Sequence, residues 1–210
     1  MTPAPTIAQL IRVPAAATLA VTLLRVVGEL MQWSPVWFNP APGGFGSIVG
    51  IVWLVPLFGT YFARRLGAVG SRPERPWRAV GLAVLGAALL AGGVLAAQPL
   101  PFKFRLPAIW AAAAVAALLQ RPAWPALFKT LLAYGFAARI PVAILILFAL
   151  LGDWGTHYDA LPPGFEPAGL WPAFFWLGLM PQLVAWVGLT VVLGALFGTV
   201  AAALRRRPRS

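Results

Sequence analysis

The chain contains no cysteine. Disulfides, thiolate metal centres and cysteine nucleophiles are therefore excluded. Histidine occurs once, which rules out haem held by two histidines of one chain. Asp and Glu together number only five in 210 residues, so little material remains for a hydrolase. Neither H-E-x-x-H nor G-x-S-x-G occurs, and no family motif can be placed residue by residue. The run Gly43-Gly44-Phe45-Gly46 lacks the Lys-Ser/Thr of a phosphate loop and has no strand before it, which argues against nucleotide binding. Charged residues make up 10% of the chain. A soluble domain usually carries about 25%.

What fills the chain instead is apolar: 60% of residues are hydrophobic, gathered in long runs. These runs predict an all-α fold, a polytopic membrane bundle forming one domain over 1–210. Six spans are expected, at 13–33, 46–63, 77–97, 107–120, 126–151 and 181–204. The fourth has only about 14 residues, roughly 21 Å, and a re-entrant course is its alternative. Residues 98–107 hold three prolines and read as a break. Residues 171–179 read as an aromatic interfacial turn or short helix, with Pro181 opening the last span. Ten Trp and thirteen Phe, several flanking the apolar runs, suit an interfacial belt. Arg25 and Glu29 interrupt the first apolar run and no A-x-A site follows, so it reads as a retained helix and not a signal peptide.

Lys and Arg number sixteen, for a formal net charge of +11. They sit in short loops and a tail between apolar runs, which points to membrane orientation and away from nucleic acid. Arg12, Arg64, Arg65, Arg72, Arg75, Arg78, Arg121, Lys129 and the Arg205–Arg209 cluster fall on one side, and Lys103 and Arg105 on the other. The positive-inside rule then places both termini in the cytoplasm. The expected location is the cell membrane, the inner membrane if the source is bacterial. The lipid bilayer is the expected partner, with other membrane subunits or further copies of the chain as candidates.

Three groups of residues stand out. On the first helix Thr18, Thr22, Arg25, Glu29 and Gln32 recur at spacings of 4, 3, 4 and 3, which places them on one face. Lipid rejects such a stripe, so it should face protein or a watery cavity. Arg25 and Glu29 are also spaced to pair within the helix. Arg139 lies near the middle of the fifth run, two residues before Pro141. It is read either as part of an anion-binding centre with Arg25, or as a structural partner of Glu29 and of carbonyls freed around Pro141. The turn Asp153-Trp-Gly-Thr-His157-Tyr-Asp159 offers two carboxylates and an imidazole, sound ligand types for a divalent metal or for proton transfer. Its alternative is an ordinary solvated turn. No cofactor is expected otherwise. Gly46-x-x-x-Gly50, Gly194-x-x-x-Gly198 and the Ala83, Ala87, Ala91 series read as helix-packing surfaces.

Two functions follow. A small carrier or permease-like protein would line its path with Thr22, Arg25, Glu29, Gln32 and Arg139. A non-catalytic subunit or assembly factor of a larger membrane complex would use the small-residue seams. A membrane-embedded enzyme built on Asp153, His157 and Asp159 is a third reading, and the sparse inventory points away from it.

Overall fold

A computed structural model describes residues 5–42 and 47–205. The fold is all-α. Among the described residues six helices occur: α1 (Ile7–Leu30), α2 (Leu54–Ala68), α3 (Pro76–Ala97), α4 (Phe102–Leu118), α5 (Pro125–Gly152) and α6 (Leu170–Leu204). Four of them, α1, α3, α5 and α6, are long and apolar enough to cross a membrane. This corrects the count of six spans. α2 has 15 residues and α4 has 17, about 23 and 26 Å against an apolar core of roughly 30 Å.

The boundaries differ from the sequence expectation for local reasons. α1 starts at Ile7, not at residue 13. Thr6 accepts from the Gln9 N–H at 3.2 Å while the Gln9 side chain accepts from the Thr6 N–H at 2.8 Å, a reciprocal cap. Pro14 lies inside the helix, and its carbonyl accepts the Thr18 hydroxyl at 2.8 Å. α1 ends at Leu30, and Gln32 has φ of 52°, so it leaves the helix, is exposed and drops out of the polar stripe. α2 begins at Leu54, not at Gly46. Gly50 lies in irregular backbone ahead of α2, which takes it out of any helical seam. Gly46 lies outside the described residues. α4 starts at Phe102 and carries Pro107 within it, so the proline-rich stretch does enter a helix. The aromatic segment after residue 170 and the last span are one continuous helix, π-helical over Phe174–Leu179 and Pro181–Trp186. Pro181 cannot donate to an α-helical bond, and the wider turn accommodates it without ending the helix.

α6 is the central element and packs on α2, α3, α4 and α5. α2 lies along it so closely that a Cβ on Gly59 would meet the Gly194 carbonyl oxygen at 2.5 Å, and one on Gly198 would meet the Gly59 oxygen at 2.9 Å. Small residues permit that approach. α5 covers the other side of the same glycines, with Leu131 over Gly194 and Leu127 over Gly198. In α3 the buried line is Ala79, Ala83, Gly86 and Leu90, while Ala91 is exposed, so the alanine series rotates out of the contact.

These contacts fix the directions. α2 runs parallel to α6 and α5 antiparallel to it, α3 and α4 are antiparallel, and α1 is parallel to α5. Consecutive helices therefore alternate. The basic segments around 64–78, 119–125 and 205 collect at one end of the bundle. Lys103, Arg105 and residues 153–169 collect at the other.

Candidate functional site

The polar face of α1 meets α5 directly. Thr18 is buried, and its oxygen lies 2.8 Å from the Tyr134 hydroxyl. The Thr18 proton already goes to the Pro14 carbonyl, so Tyr134 is the donor in that pair. Edge-on packing against Phe58 and Phe62, at 5.5 and 5.4 Å between ring centroids, fixes the Tyr134 ring. Thr22 is buried and donates to the Thr18 carbonyl at 2.9 Å. That bond satisfies the hydroxyl within its own helix.

Two turns further along α1, Glu29 is buried with its side chain fully shielded from solvent. Its carboxylate accepts from Arg25 Nε at 2.8 Å, from the His157 backbone N–H at 2.9 Å and from His157 Nδ1 at 2.6 Å. Arg25 also donates to the Asn39 carbonyl at 3.3 Å. Burial holds the His157 imidazole below its ordinary value, and the Arg25 charge adds to that, against the pull of Glu29 and Asp159. A neutral His157 with its proton on Nδ1 fits this geometry, since Glu29 can only accept. The Tyr158 ring lies tilted against the imidazole, with centroids 3.8 Å apart, and is itself buried, which pushes its phenol up.

The other acids of the turn do different work. Asp159 accepts from the Gly155 and Thr156 N–H groups, each at 2.8 Å, and from the Thr156 hydroxyl at 2.7 Å. It folds the turn that presents His157 to Glu29. Asp153 is exposed in the left-handed region at φ of 47°, where it ends α5. Asp153, His157 and Asp159 are thus not gathered on a common point, and no group of three metal-ligating side chains occurs among the described residues.

Arg139 stands apart from Glu29, which corrects the expected pairing. It faces the π-helical part of α6. Nη1 donates to Gln182 Oε1 at 3.4 Å, and the guanidinium carbon lies 4.6 Å from the Trp186 ring centroid. Arg139 is 5% exposed, its Nε has no hydrogen-bond partner, and no acid pairs with it among the described residues. A cation over a desolvated indole gains about 2 kcal/mol. Burying a charge costs several kcal/mol, so Trp186 and one long hydrogen bond offset it only in part. The Arg139 charge also acts on the Tyr134 and Tyr158 hydroxyls. Thr18, Tyr134, Arg139, Tyr158 and the Glu29–His157 pair therefore form a polar interior from mid-bundle to the end that carries residues 153–169.

Tyr134, Tyr158, Gln182 and Trp186 were not among the residues singled out from sequence. Gln182 left the clearest signal, an amide beside Pro181 in an otherwise apolar run. Gly194 and Gly198 lie in the close contacts of α6, away from this polar interior. Comparison of the chain with protein-family models, with curated proteins and with solved structures gives no match.

Proposed function

We propose that the protein is a multi-pass membrane protein of the cell membrane, both termini cytoplasmic, acting as a small carrier for an anionic solute. The observation that carries this reading is Arg139, a buried guanidinium with a free Nε and no acid partner among the described residues. A carboxylate or phosphate group supplies what Gln182 and Trp186 do not: an opposite charge with acceptor oxygens matched to the guanidinium edge. Intramembrane charge beside an irregular helix is a recurring arrangement for solute sites. In this reading α1 and α5 line the path with Arg25, Glu29 and Tyr134, and the His157 turn closes it at the outer end. Thermal melting of the purified protein against a panel of small carboxylates, phosphate and sulfate tests it. At least one anion should raise the melting temperature of the wild type and leave Arg139→Gln unmoved. No shift with any anion, or equal shifts in both proteins, would end the reading.

One observation favours a second reading, a non-catalytic subunit or a homo-oligomer. α3 exposes Gly81, Ala88 and Gly92, with open space above both glycines. Such a face admits another helix at close range. Loss of a co-purifying chain, or of self-association, in Gly92→Leu would support it.

A further inference from the structure

At the basic end of the bundle a groove of about 380 Å³ opens between the last turns of α2 and α6. Arg64 and Arg205 stand at its rim, both exposed. Its wall is apolar, with Phe197 45% and Leu204 67% exposed, and Thr60 adds a hydroxyl to the lining. Neither arginine is paired with an acid among the described residues. Of the five acids in the chain, Glu29, Asp153, Asp159 and Glu166 belong to the opposite end, which leaves Glu74 alone near this one. The groove therefore combines uncompensated guanidinium charge with an uncovered apolar wall.

We infer that this groove is a binding site for one anionic phospholipid, its phosphodiester held by Arg64 and Arg205 and an acyl chain laid along Phe197 and Leu204. Guanidinium matches phosphate oxygens in a planar fork. Basic pockets between helices at the cytoplasmic face bind anionic head groups. A free phosphate would satisfy the arginines and leave the apolar wall bare, so the wall selects the lipid. The inference rests on the helices lying in a bilayer and is independent of any anion path at Arg139.

Native mass spectrometry of the protein in mild detergent, titrated with phosphatidylglycerol or phosphatidylcholine, reads the site. Phosphatidylglycerol should bind with a half-saturating concentration about tenfold below that of phosphatidylcholine, as charge-assisted contacts require. The Arg64→Gln, Arg205→Gln double variant should lose that preference. The Arg72→Gln, Arg75→Gln variant removes the same charge at the same end, outside the groove, and should keep it. Equal weakening in the two double variants would overturn the inference in favour of diffuse charge. So would equal binding of the two lipids, or displacement of phosphatidylglycerol by millimolar inorganic phosphate, which would make the site one for the free ion. The wild type and both double variants are compared by melting in phosphatidylcholine alone. A drop confined to the groove variant there would assign the arginines to folding and overturn the lipid role.

Discussion

His157 gives both its backbone N–H and its ring Nδ1 to the carboxylate of Glu29, 128 residues earlier, at 2.9 and 2.6 Å. One acid thus ties the end of α1 to the turn after α5. Arg25 on the same helix supplies the compensating charge at 2.8 Å.

The clasp predicts a pH dependence with a definite sign. The His157 imidazole is held below its ordinary value in the fold, so the unfolded chain binds more protons near that value. The stability this contributes is complete above about pH 6.5. It is lost as pH falls through the depressed value in the fold. Melting from pH 8 to pH 5 should show a steeper acid decline for wild type than for His157→Gln. Identical slopes would mean His157 does not titrate with folding.

The two buried charges, Arg139 and Glu29, belong to separate networks. Arg139→Leu with Glu29→Gln should be additive, whereas Arg139→Leu with Gln182→Leu should show coupling of about 1 kcal/mol. Either single change leaves buried polar groups without partners and should cost about 1–3 kcal/mol. Denaturant unfolding in detergent gives both cycles. Strong coupling between Arg139 and Glu29 would mean that the two clusters act as one.

Glycines of the same residue type should differ by position. A methyl at Gly59 would strike the Gly194 backbone, so Gly59→Ala should cost about 1–3 kcal/mol through overpacking. Gly92 has open space around it in mid-helix, so Gly92→Ala should be neutral or stabilise by about 0.5–1 kcal/mol. Thermal melting of the two single variants, side by side, distinguishes them. Similar losses at both positions would contradict the α2–α6 packing.

Orientation can be read with single cysteines in this cysteine-free chain. Val69 and Leu161 are 45% and 43% exposed and belong to opposite ends of the bundle. An impermeant thiol reagent on intact cells should label Leu161→Cys and spare Val69→Cys. The opposite pattern would invert the proposed topology.

Local chemistry written in the chain determined the helical class, the apolar character of the long segments and the Arg25–Glu29 spacing. Hydropathy and the 3.6-residue period act over one helix, so neighbouring residues suffice to read them. Span count and helix ends were less legible, because prolines at 107 and 181 read as boundaries yet lie inside helices. Whether a proline ends a helix depends on what replaces its missing bond. At Pro181 the widened turn of α6 does this, and packing against α5 sustains it. The partners of the buried charges were legible least of all. Arg139 and Glu29 are the obvious opposite charges in sequence, yet the fold turns one toward Gln182 and Trp186 and folds the His157 turn onto the other. Only tertiary structure decides this. A charge is satisfied by whatever the packed helices bring within about 3 Å, and that distance is set by contacts among all of them.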